Sequence, residues 1–377
     1  VRPDAQELIA AFRLDPTAAL AALNAERGIG AAAFLRDDVA ADAARASDED
    51  RRALDELGDR LDKVNASLRE AHRDVEAPLH GLVLRWKPIP RVGVYVPQRL
   101  ASTAVTYLSA MTAAGVPERV VYLAQGPDGT LDPLCAYAAQ RYRATTLAGP
   151  ARLGFLALAL GVPAEGLAPV DLLAGPCGRA LNELKHLACL AGAAVPDMYA
   201  GPSAVAIVAD ETAPWERVVL DLAAQLEHGR DSTATLFVVG EAALAAWRAR
   251  PHDGTRVDVV PVADPVEATR LIDMLAPETV AVWTRNADEI AGTIRCAGTV
   301  YERTSSSFGD YGAIGRGCAD PTDGRARAQT GLLPGTFLRA VPVVSAGATD
   351  GSLRDAAVRI ALREVLPAHA AAIRAAV

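Results

Sequence analysis

Gln225 and His228 stand three residues apart near the end of a helical stretch, so they share a face and could reach one ion or one ligand. Imidazole nitrogen is a donor that suits a borderline cation. A histidine at a helix end also serves as a cap or as a partner for the helix dipole, and the spacing leaves both uses open. The stretch that holds the pair runs from Pro196 to Asp231. Its AVAIVAD segment has the length and β-branched content of a buried strand. DETAPWERVVLDLAAQLEH then has helical spacing. Asp210, Thr212 and Pro214 supply start signals, and Val218, Val219, Leu222 and Leu226 form one apolar face.

The elements that must position this helix are strands alternating with helices. Residues 1–80 read as helical, including a long amphipathic charged stretch from Asp48 to Val75, expected to be a solvated or dimer-facing helix. From Arg85 the pattern changes. RVGVYVP, ERVVYLAQG, TTLAG and VDLLAGP read as strands, each followed by a helical segment, which predicts a Rossmann-like domain over 94–203. After the opening helix the alternation resumes through ATLFVVG, RVDVVPV, TVAVWT and GTVYER, a second α/β domain. The tail from about 341 reads as helical. The fold class is therefore α/β, with two Rossmann-like parallel-sheet domains and helical N- and C-terminal segments. Such a pair of sheets places its site in the crevice at the strand ends.

The 377 residues, 51% of them apolar, suffice for two cores. A net charge of -8 without a Lys/Arg cluster argues against nucleic-acid binding. Three lysines stand against 35 arginines, a bias we read as GC-rich coding. Cys135, Cys177, Cys189, Cys296 and Cys318 form no CxxC pair, which disfavours a disulfide framework or a thiolate zinc site. No secretory leader and no bilayer-length apolar run are legible, so the expected location is the cytoplasm, with no membrane partner.

The order of the motifs is more specific than any one of them. DMYAGPSA, AIVAD and AAQLEHG, flanked by RWKPIPRVGVYVP, APETV, GDYGA and EVLPAH, resemble the histidinol dehydrogenase family over roughly Leu82 to Ala370. The resemblance implies an intertwined homodimer in which the tail crosses to the partner subunit. It implies segments 1–20 and 341–377 for dimerisation, 21–93 with 204–340 as the domain of the metal and acid/base motifs, and 94–203 as the NAD-like domain. It also implies zinc held by Gln225, His228, Asp310 and His369, all of retained residue type. Ser203 and Glu364 match substrate contacts; taken alone, they read as a turn hydroxyl and a solvated helix charge. Asp310 read alone is a turn residue beside Gly309, and His369 a surface histidine. His72, His80, His186 and His252 match nothing and read as structural or surface residues.

Elsewhere the chain departs from the family pattern. The acid/base Glu-His pair is here Glu278-Thr279, and a threonine hydroxyl cannot take up a proton near neutral pH. Cys318 stands where the family has a substrate-side histidine. On the cofactor side Tyr95, Arg152 and Gly175 mark a degenerate NAD site. There Gln98-Arg99, GPARLG and GPCG replace glycine-rich turns that let backbone approach a pyrophosphate. The expectation is a zinc-dependent enzyme acting on a small amino-acid-like metabolite, with Glu278 as acid or base, zinc as Lewis acid and NAD-dependent oxidation lost. The alternatives are an NAD-dependent amino-alcohol dehydrogenase and a non-catalytic zinc-stabilised binding protein.

Overall fold

The short apolar runs become the strands of two all-parallel sheets. The computed structural model describes residues 3–30, 33–36, 38–77, 81–250, 256–317, 319–345 and 351–375. In chain order the first half holds α1 (Pro3–Leu14), α2 (Pro16–Ala25), α3 (Val39–Ala43), α4 (Asp48–Arg69), β1 (Val75–Ala77), β2 (Leu82–Pro88), β3 (Arg91–Val96), α5 (Ala101–Ala114), β4 (Glu118–Ala124), α6 (Pro133–Arg141), β5 (Thr145–Gly149), α7 (Ala151–Leu160), β6 (Leu172–Ala174), α8 (Arg179–Ala191) and β7 (Val195–Pro196). The second holds β8 (Ala204–Ala209), α9 (Trp215–Glu227), β9 (Thr233–Val239), α10 (Glu241–Arg248), β10 (Val257–Val262), α11 (Pro265–Leu275), β11 (Thr279–Trp283), α12 (Ala287–Thr293), β12 (Thr299–Glu302), α13 (Ser307–Asp310), β13 (Leu338–Val344), α14 (Gly351–Arg363) and α15 (Pro367–Ala375).

By contacts the chain divides into two units, Val1–Arg69 with Pro88–Phe337, and Glu70–Lys87 with Leu338–Val377. The first unit contains both parallel sheets, in strand orders β5-β4-β3-β6-β7 and β10-β9-β8-β11-β12. Each is doubly wound, with its order reversing beside the first strand of the set, β3 or β8. Strands β3, β8 and β11 are almost wholly buried, as expected of strands covered on both faces.

The N-terminal helices pack onto the first sheet. Phe12, Leu20 and Phe34 join Tyr95, Tyr122 and Phe155 in one buried cluster. Helix α4, read from sequence as solvated or dimer-facing and grouped with the second domain, buries Leu54, Gly58 and Leu61 and lies against α5 and α6. Asn65 donates to Ser109 at 2.9 Å, and the Arg141 guanidinium meets Asp55 and Asp59 at 2.6 and 2.7 Å. Its charged face therefore includes partners from α6 that sequence periodicity does not reveal. Within 31–46, part of the stretch read as helical, the described residues form helix only over α3, and Leu35 bridges to Leu147 on the edge of the first sheet.

The second unit has a three-stranded sheet, β1-β2-β13, that the sequence reading lacks. Its helices α14 and α15 enclose a small core of Val358, Ala361 and Ala370, with Ile373 partly buried. Leu353, Ile360, Val365 and Val344 remain exposed.

Candidate functional site

Strands β8 and β11 are parallel neighbours, with Thr279 opposite Val205. The residues that precede them therefore emerge together at the amino edge of the second sheet. The Glu278 Oε2 accepts the backbone N–H of Ala204 at 3.2 Å, and the Ser203 hydroxyl donates to the same carboxylate. Burial pushes the Glu278 pKa up to about 7, and the negative charge of Asp320 adds to that. The bonds from Ser203 and Ala204 and the charge of His228 pull the other way without cancelling it. Asp320 is itself buried, held by Thr299 Oγ1 at 2.5 Å and Arg316 Nη2 at 2.7 Å.

His228 caps the C-terminal end of α9, and Gln225 lies in its last turn. The His228 Nε2 is 3.6 Å from Asp310 Oδ2. Asp310 raises the imidazole's pKa, burial opposes it, and Glu278 and Glu227 add to the rise. The separation exceeds a direct hydrogen bond, so we treat the pair as coupled through charge. Asp310 is brought there by α13, whose Gly309 is obligatory: a Cβ at that position would lie 1.7 Å from the Tyr301 hydroxyl. Gln225 is 7% exposed, and its Nε2 has no hydrogen-bond partner.

These donors fit a zinc ion in kind, since imidazole nitrogen and carboxylate and amide oxygen all suit it. Of the Gln225 amide, the oxygen is the atom that can ligate, and Nε2 remains a donor. Among the described residues no three His, Cys, Asp or Glu side chains gather as a metal cluster. Of the four expected ligands, Gln225, His228 and Asp310 belong to the first unit. His369 is exposed on α15 of the second unit, and Glu364 is exposed in the turn before it.

On the first sheet the expected cofactor residues stand at the carboxyl edge. Gly175 follows β6 with φ +121°, and a Cβ there would strike the Tyr95 carbonyl oxygen. Helices α7 and α8 begin with no side-chain cap, leaving N–H groups free to meet an anion. Arg99 occupies the left-handed region, φ 67°, so it keeps a glycine-like backbone turn where the resemblance has glycine. The Gln98 side-chain amide lies against Gly126. Tyr95, one of the expected cofactor residues, turns its ring into the core, 4.6 Å from that of Phe155, and is 2% exposed. Arg152 is exposed in the first turn of α7.

Thr279 is 4% exposed as the first residue of β11. Cys318, His80 and His252 lie outside the described residues. His72 packs edge-on to Trp86 and His186 stacks on Tyr199, in keeping with structural roles.

Several organising residues escaped the sequence reading. Residues 197–203 run from the carboxyl edge of the first sheet to the amino edge of the second. Lys185, wholly buried, ties the start of this connection by donating to Asp197, Met198 O and Gly175 O. Asp197 also accepts from Tyr107 and from Gly175 N–H, both at 3.3 Å. A lysine retained inside a helix of an arginine-biased chain was the available signal. In the first sheet the expected cofactor residues lie at the carboxyl edge. In the second sheet the carboxyl end of β8 is occupied structurally, where Asp210 accepts from Thr212 and Arg285, and Glu278 and Ser203 lie at the opposite edge. A cavity of about 670 Å³ between α11 and α12, lined by Val266, Met274, Ile290 and Cys296, includes none of the expected site residues.

Comparison with known proteins places the chain. A family model described as histidinol dehydrogenase matches residues 3–377. Histidinol dehydrogenase from Nocardia farcinica is 34% identical over 378 residues, spanning 89% of this chain and 82% of that protein. The enzyme of that name from Thermococcus kodakarensis is 31% identical over 333 residues, spanning 85% and 84%. The crystal structure of histidinol dehydrogenase from Elizabethkingia anophelis superposes with a TM-score of 0.86 at 23% identity, covering 98% of this chain and 90% of that one, a likeness of fold. No helix among the described residues is long and apolar enough to cross a membrane.

Proposed function

From the premise that the chain belongs to the histidinol dehydrogenase family, we propose that it is a zinc-dependent dehydrogenase of a small polar amino alcohol. The carrying observation is Glu278, a carboxyl group with a pKa of about 7 that feels the charge of His228 beside Asp310. A group poised there can exchange a proton with substrate at neutral pH. The relatives' shared name supports oxidation over the non-redox chemistry suggested by the altered motifs alone.

In this reading Gln225, His228 and Asp310 hold zinc, and His369 completes the set from the tail of a partner in a homodimer. When bound, zinc supplies Lewis acidity to a substrate oxygen or nitrogen, and a nicotinamide cofactor supplies the hydride acceptor. The chain's own residues do the rest. Glu278 as carboxylate takes the proton of the substrate hydroxyl. The Ser203 hydroxyl holds that carboxylate in place, and Cys318, with Glu364 of the partner subunit on the same exchanged tail as the partner's His369, completes the substrate contacts. Thr279 offers no second base, so proton transfer falls to Glu278 alone. Gly175 and the uncapped starts of α7 and α8, with Arg152, receive the cofactor's phosphates. We place the enzyme in the cytoplasm, with a small molecule and its own second copy as partners.

The test is to supply zinc-loaded protein with NAD and a panel of amino alcohols and to follow nicotinamide reduction. A second reading, a non-redox zinc enzyme, is favoured by the loss of imidazole at Thr279 and by the side chains of Gln98 and Arg99 at the cofactor turn. It predicts metal-dependent turnover without nicotinamide reduction.

A further inference from the structure

Helix α9 carries three polar side chains in one line, Asp221, Gln225 and His228, at intervals of four and three. The last two are the expected ligands, while Asp221 lies one turn deeper and is 2% exposed. A carboxylate so buried is costly unless its oxygens are satisfied. Here they are met by consecutive serines. Ser305 and Ser306 hydroxyls donate to Oδ1 at 2.6 and 2.8 Å, the Ser307 hydroxyl approaches it at 3.4 Å, and the Ser306 N–H donates to Oδ2 at 3.2 Å.

Those serines lead directly into α13. Ser307 opens it and Asp310 closes it. Gly309 between them packs against the Tyr301 hydroxyl, with no room for a Cβ. One carboxylate on α9 therefore fixes the start of the turn whose end delivers Asp310 to His228, on the same helix.

We propose that Asp221 is the positioning residue of the metal centre, setting the His228–Asp310 separation through the Ser305–Ser307 bracket. The inference rests on the reading that His228 and Asp310 hold zinc. Groups that orient metal ligands from behind typically change metal affinity by roughly 10–100-fold when removed.

The experiment measures zinc affinity by chelator competition on wild type, D221N, the S305A/S306A double variant and H228A, with circular dichroism and the melting temperature of each apoprotein. The serine variant removes the two shortest of these bonds without touching α9. The expected result is zinc bound by wild type, lost in H228A, and weakened about 10–100-fold in both D221N and S305A/S306A while they remain folded. Wild-type zinc affinity in folded D221N or in folded S305A/S306A would overturn the positioning role while leaving the zinc reading intact. Should D221N fail to fold, S305A/S306A decides alone. No zinc in the wild type would overturn the zinc reading, and the positioning role with it.

Discussion

The Nε2 of His228 and the Oδ2 of Asp310 stand 3.6 Å apart, one from the end of α9 and the other from the last residue of α13. An imidazole and a carboxylate at that spacing, with the Gln225 amide one turn away, are donors of the kinds that suit an N/O metal set.

The first expected outcome concerns this pair. Purified protein should carry about one zinc per chain. Changing His228 to Ala should remove it, as read by elemental analysis. Full occupancy in that variant would defeat the assignment.

The second concerns pH. With Glu278 at about 7, kcat/KM should rise as pH passes through 7 and the carboxylate forms. Glu278→Gln should lose about 10²–10⁴-fold in kcat. Stability runs the other way. A folded pKa above the unfolded one contributes stability that is full below the ordinary glutamate range and disappears as pH rises through 7. The raised pKa of His228 acts in the same direction in the metal-free protein. The metal-free wild type should thus lose stability from about pH 5 to pH 8, and Glu278→Gln should lose less. Equal slopes in denaturant titrations would mean that Glu278 ionises normally.

The third concerns the tail. His369 lies on α15 in the second unit, with exposed Leu353, Ile360 and Val365 in the same segment. Mixing inactive His228→Ala and His369→Ala chains should restore activity in heterodimers, because one composite site is intact. Verified heterodimers with no activity would place all ligands within one chain.

The fourth is a stability change. Val365, between Glu364 and α15, has φ 61° and is 82% exposed. A β-branched residue there is strained by about 1–2 kcal/mol. Val365→Gly should stabilise the protein by about 1 kcal/mol, since little packing is lost. An unchanged or lower melting temperature would show that the turn is not held in that conformation.

Much of this was legible in the sequence. The buried runs around β3, β8 and β11 could hardly be anything but parallel strands, and the order of motifs identified the family. Sequence spacing put Gln225 beside His228 but could not bring Asp310 to them, because that contact depends on Asp221 holding three serines far along the chain. The raised pKa of Glu278 depends first on burial and then on Asp320, and neither shows in PETV. The small sheet of β1, β2 and β13 was missed because its strands are mostly exposed or half-buried and lack a continuous apolar run. At the cofactor turn the residue type does not reveal the backbone: Arg99 stands where the resemblance has glycine and keeps φ 67°.

The most direct measurement is nicotinamide reduction by zinc-loaded protein offered NAD and a panel of small polar amino alcohols. Reduction with at least one of them is expected, abolished by removing zinc and by Glu278→Gln. Zinc-dependent turnover of such a substrate with no reduced nicotinamide formed, and no NAD binding by calorimetry at millimolar concentration, would contradict it.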